Sequence, residues 1–61
     1  MDIYGNVSRI AFERGLSLAR VERESGIANG TIGKWREQTP RVETVAKVAE
    51  YFGVTIDELV K

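Results

Sequence analysis

Neither cysteine nor histidine occurs in this chain of 61 residues. Without cysteine no disulfide can staple so small a core, and the absence agrees with a reducing compartment. Without histidine the common zinc sites, the serine–histidine triads and the usual neutral-pH acid and base are all missing. All nine acidic residues fall in helical surface patterns, and none has a partner that suggests a catalytic pair. No enzyme activity, cofactor, metal site or small-molecule substrate is expected.

Long apolar runs are lacking too. The longest extend a few residues, against the ~20 that cross a bilayer, so no membrane partner is expected. The opening Met1-Asp2-Ile3-Tyr4-Gly5 has neither a basic cluster nor a following apolar run, and no secretory signal is read there. The expectation is a cytoplasmic protein of one domain, residues 1–61, with one modest core. Net charge is absent as well: nine basic residues balance nine acidic ones, whereas many nucleic-acid-binding domains are strongly basic. The distribution is less even than the total. Residues 29–41 hold Lys34, Arg36 and Arg41 against Glu37. Residues 42–61 hold Glu43, Glu50, Asp57 and Glu58 against Lys47 and Lys61, and residues 1–28 are balanced.

What is present is apolar spacing of helical period almost throughout, with no strand-like alternation. An all-α fold of five short helices is expected. The first runs from about Asp2 to Arg14, with Ile3, Val7 and Ile10 on one stripe, and ends at Gly15. Ser17 is the next N-cap candidate, flanked by Leu16 and Val21 as a hydrophobic staple. The second helix is then Leu18 to Ser25, with the turn at Gly26 and Ile27 beneath it. The third is expected from Asn29 to Glu37, with Ile32 and Trp35 buried. Within it Gly30 and Gly33 would each weaken the helix by up to ~1 kcal/mol relative to alanine. Thr39-Pro40 is expected to start the fourth helix, whose stripe is Val42, Val45, Val48, Ala49 and Phe52, up to Gly53. Thr55-Ile56-Asp57-Glu58 is a capping box that starts the fifth, with Val54 and Leu59 as its staple.

The segment Ser17 to Trp35 carries the functional signal. Counted from Leu18, glycine stands at position nine and apolar residues at four, ten, fifteen and eighteen. This spacing locks two short helices at a steep angle about a glycine corner, and the start of the second protrudes. A protruding helix end fits a major groove about 12 Å wide.

Gly15-Leu16-Ser17, Gly26 through Trp35, and Pro40 through Leu59 together resemble the lambda-repressor/Cro-like, or XRE, helix-turn-helix family. The likeness extends from about Asn6 to Val60. It implies a compact five-helix DNA-binding domain with the helix-turn-helix at helices two and three, double-stranded operator DNA as partner, and a homodimer on an inverted repeat. Its flavour is that of repressors of phages and mobile elements. Some positions depart from the family's habit. Leu18 stands where glutamine is frequent, so that contact is expected to be missing. Glu22 replaces a small residue, which would alter the helix crossing, and Ser25 replaces an apolar one. Ala28 stands where serine or threonine often caps the recognition helix, leaving that task to Asn29 or water. Phe12 is either an exposed contact or an extra core member.

Four residues are the candidates for reading bases in the major groove: Asn29, Gly30, Gly33 and Lys34. Asn29 either pairs with adenine or serves as a plain cap; Lys34 reaches guanine or phosphate, or is a solvated lysine. The two glycines would let backbone approach the bases. Ser17, Thr31, Arg36 and Arg41 suit phosphate contacts. Arg20 and Arg23 either touch DNA or pair with Glu24 or Glu22. Ile56, Leu59 and Val60 of the fifth helix form a surface of which some must pack on helices one and four and the remainder is the expected dimer surface, with Tyr51 or Phe12 as neighbours. The chain is then either a whole regulator or the first domain of a longer one. A protein-interaction module, such as an antitoxin or adaptor built on the same fold, is the alternative, and zero net charge suits it.

Overall fold

A computed structural model describes residues 2–61; Met1, where the expected domain 1–61 begins, lies outside the described residues. Five helices and no strand are found among the described residues: α1 (Ile3–Glu13), α2 (Leu18–Ser25), α3 (Thr31–Lys34), α4 (Val42–Phe52) and α5 (Ile56–Val60). Among the described residues no helix is long and apolar enough to cross a membrane.

Three helices start on side-chain caps, of which Ser17 and Thr55 were expected. Asp2 accepts from the Gly5 amide at 2.9 Å, Ser17 from Arg20 at 3.1 Å and Thr55 from Glu58 at 3.2 Å, each satisfying a donor that the first helical turn leaves unpaired. Gly26 closes α2 in the left-handed region at φ 80°, and the Ile27 amide returns to the Glu22 carbonyl at 3.0 Å. This is the corner expected from the spacing.

The core consists of Val7, Ile10 and Ala11 from α1, Val21 from α2, Ile32 from α3 and Trp35 just after it, Val45, Val48, Ala49 and Phe52 from α4, and Leu59 from α5. α2 packs on α4, and α1 packs on α5. Two polar ties close the α1 side. The Asn6 side-chain amide donates to the Leu59 carbonyl at 2.7 Å. The Arg14 guanidinium donates to the Phe52 carbonyl at 2.7 Å and lies 5.2 Å over the Phe52 ring, a cation at the end of α4 where carbonyls lack partners.

Several expectations need correction. The third helix is four residues, Thr31–Lys34, not 29–37: Gly30 lies in the left-handed region at φ 88°, which an α-helix cannot include, and residues 35–37 form a turn. Thr39 and Pro40 do not start α4; Arg41 occupies its N-cap, without a side-chain bond. Val42, placed on the inner stripe, is the first residue of α4 and projects into solvent at 72% exposure. Phe12 stands 85% exposed and is no core member. Leu59, expected on the dimer surface, is fully buried beneath α1 and α4. Leu59, the buried residue of α5, cannot also face a second copy.

Candidate nucleic-acid interface

Residues 26–41 leave the core at Gly26 and return to it at Ile32 and Trp35. Ile32 is fully buried and Trp35 nearly so. Ala28, Asn29, Gly30, Gly33 and Lys34, by contrast, are exposed. The end that was expected to protrude does protrude, but as a turn. Gly30 has φ 88° and ψ −4°, the values of the third residue of a type II turn. The Thr31 amide closes that turn on the Ala28 carbonyl at 3.2 Å.

Glu22 holds the turn from beneath. Its side chain is 3% exposed, so it is not the surface carboxylate that the helical pattern suggested. One carboxylate oxygen accepts from the Gly30 amide at 2.9 Å and the other from the Ile32 amide at 2.8 Å. A buried carboxylate left unpaired is strongly unfavourable, and these two charge-assisted bonds satisfy it. Glu22 therefore does not merely change how two helices cross; it supplies the cap that Ala28 lacks. The sequence carries a signal for this. Glu22 lies four residues after Leu18 and next to Val21, on the inner face of α2, and a carboxylate placed there must find donors nearby. Ser25, on the same face, keeps its hydroxyl buried without a partner.

The cap decides Asn29. Gly30 occupies the N-cap position of α3 with no side-chain cap bond, and no hydrogen bond to or from the Asn29 side chain is found among the described residues, so Asn29 is not the cap of α3 and stands free at the tip. It shares a shallow groove with Ala19, Arg23 and Ile27, and this places Arg23 beside the tip. A second groove joins Thr31, Lys34 and Arg41 with Gln38, Thr39 and Thr44. These last three polar residues were not among the candidates, because the stretch between Trp35 and Val42 read only as helix end and helix restart. Neither Arg23, Lys34 nor Arg41 forms an ion pair among the described residues.

The remaining candidates separate. The Thr31 hydroxyl donates its one proton to the Ala28 carbonyl at 2.6 Å, so it has none for a phosphate in this conformation. The Ser17 oxygen accepts a bond as a cap, and its proton is free to donate outward. Arg36 turns away from the Lys34 groove and lies 5.5 Å over the Tyr4 ring, at the start of α1. Arg20 pairs with Glu24 at 3.0 Å, and the Tyr51 hydroxyl also donates to Glu24. The Tyr51 bond first, and Arg20 second, hold the Glu24 carboxyl below its ordinary range. The same partner raises the Tyr51 hydroxyl and the Arg20 guanidinium above theirs.

No group of side chains able to hold a metal ion occurs among the described residues. A family model described as helix-turn-helix matches residues 8–59, a range that includes both helices of the corner and the whole of α4. The family is one of non-enzymatic DNA-binding domains. No curated protein and no solved structure matches the chain.

Proposed function

The chain belongs to the XRE/Cro-like helix-turn-helix family, and from that premise we propose that it reads a specific sequence of double-stranded DNA as a transcriptional regulator. The role we assign is a repressor of the phage or mobile-element type, cytoplasmic, bound as a homodimer to an inverted repeat. The observation that carries this reading is the exposed segment Ala28–Lys34 anchored by buried Ile32 and Trp35. An unpaired amide stands at its tip and unpaired cations on either side.

In this reading Asn29 meets a base edge in the major groove, suited by its donor and acceptor to adenine. Lys34, one turn on, addresses guanine or the adjoining phosphate. Gly33 is exposed, with nothing within 4 Å of where a Cβ would stand, which supports close approach of the backbone. Gly30 contributes by shaping the tip. Phosphate contacts fall to Arg41 and to Ser17 through its free hydroxyl proton. Arg36 joins them only by leaving the Tyr4 ring, and Thr31 only by rotating its hydroxyl. Such contacts fix orientation and carry no sequence information. For the dimer, Ile56 at 38% exposure and half-buried Val60 remain once Leu59 is assigned to the core. Two-fold pairing joins two weak half-site contacts into one tight event.

Selection of random duplexes by the purified domain, followed by a salt series on the enriched sequence, tests the reading. The expected outcome is one enriched inverted repeat whose affinity falls steeply and log-linearly with salt. No enrichment, with binding indifferent to salt, contradicts it and leaves a protein-docking role.

A further inference from the structure

The DNA-reading tip has a foundation unlike that of an ordinary helix start. Three amides that a helix entry would leave without partners all have one inside the chain: Gly30 and Ile32 on the two oxygens of Glu22, and Thr31 on the Ala28 carbonyl. A helix extended back to Asn29 would have to move Gly30 out of the left-handed region and withdraw its amide from Glu22. That would strand half of a carboxylate that is nearly sealed from water. Downstream, Ile32 and Trp35 are fixed in the core. The turn is thus held from below and from one end, with no cheap alternative conformation.

We propose that Glu22 is a positioning residue for DNA recognition: with left-handed Gly30 it holds residues 28–31 as a preformed turn, and this turn is the form that meets DNA. The inference rests on the DNA-reading role proposed above. Glu22 touches no base. It acts by fixing where Asn29 points, so the ordering of the tip is complete before binding and does not subtract from affinity. It also occupies the amides at the start of α3, which leaves them no part in phosphate binding.

Chirality gives a direct test, because a chain of this length can be made by chemical synthesis. The position where an L residue's Cβ would stand at Gly30 has no atom of the chain within 4 Å, so L-alanine there meets no clash inside the chain and acts on its fold through backbone conformation. L-alanine disfavours the left-handed region and favours a helix; D-alanine does the opposite. Gly30→Ala made with D-alanine is expected to keep the turn and to bind the selected duplex. The same substitution with L-alanine is expected to bind about tenfold more weakly. If the L form binds as well as the D form or better, the helix is the bound state and the proposal is overturned.

Glu22→Gln supplies the second arm. An amide side chain presents one oxygen and one donor group, so one of the two backbone amides loses its acceptor. The expected result is weaker binding of the selected duplex and a blurred sequence preference, with binding to random duplexes at low salt unchanged and thermal unfolding still cooperative. In nuclear magnetic resonance spectra, one of the Gly30 and Ile32 amide protons is expected to lose its downfield shift. A Glu22→Gln chain with native affinity and preference counts against the positioning role. If the unmodified chain selects no duplex, the DNA-reading role falls, and the positioning role falls with it. Failure in the variants alone removes only the latter.

Discussion

α1, α2 and α5 each begin on a side chain three residues from the amide it caps, and their lengths follow from signals in their own few residues. The segment between α2 and α4 works otherwise. It holds one four-residue helix, a left-handed glycine and several turns, and its order derives from a carboxylate eight and ten residues away in sequence. The scaffold is thus locally encoded, while the segment between α2 and α4 takes its shape from tertiary contacts. Substitutions in the two regions should therefore fail in different ways.

The largest effect is expected in the scaffold. Leu59→Ala empties the centre of the α5 contact and should lower stability by about 2–5 kcal/mol, out of a total of roughly 3–9 kcal/mol for a chain of this size. Ile56→Ala, on the exposed side of the same helix, should lower it by less than about 1 kcal/mol. Thermal or urea unfolding separates the two. Equal effects would mean that α5 is held by both faces.

Next comes Glu22→Ala, which leaves the buried Ile32 amide and the part-buried Gly30 amide without acceptors and should lower stability by about 1–3 kcal/mol. That is a core-sized effect from a polar residue. A change below about 0.5 kcal/mol would break the comparison, because the segment between α2 and α4 would then be ordering itself.

Smaller effects belong to the surface of that segment and should appear in binding, not in folding. Asn29→Ala and Lys34→Ala should each relax preference at one base pair by about 1–3 kcal/mol, with the unfolding temperature unmoved. Arg41→Ala should weaken all duplexes alike and reduce the slope of log affinity against log salt by about 1.

The smallest effect is expected where α2 meets Tyr51. The Glu24 carboxyl titrates below its unfolded value, so its contribution is full above the ordinary carboxylate range and is lost as the pH falls through the folded value. Tyr51 runs the opposite way: its raised hydroxyl contributes below the ordinary tyrosine range and loses that contribution as the pH climbs past the raised value. Tyr51→Phe should make the decline in unfolding temperature between about pH 7 and about pH 3 shallower. Both groups are open to water, so the slope should change only slightly.

How far the sequence could be read follows the same division. Ser17 and Thr55 marked helix starts, and Gly26 marked the corner, because each does its work through its immediate neighbours; Asp2 caps α1 in the same local way but was read only as its first residue. The third helix was over-read by five residues. Ile32 and Trp35 keep helical spacing whether or not the residues before them are helical, so periodicity alone extended the helix across Gly30. The cap was missed because Glu22 and Gly30 are distant in sequence, and a glutamate at a helical position reads as solvated until its face is considered. Leu59 was assigned to a partner for a related reason. Three apolar residues in a short helix do not say which one points inward, and the packing of α1 and α4 settles it.

Amide resonance mapping on addition of the selected duplex tests most directly whether DNA lies against residues 28–44. The largest shifts are expected at Ala28 to Lys34 and at Gln38 to Thr44, with α5 little moved by the duplex itself. Shifts centred on α1 and α5, with residues 28–34 silent, would place the DNA elsewhere or nowhere and contradict the account.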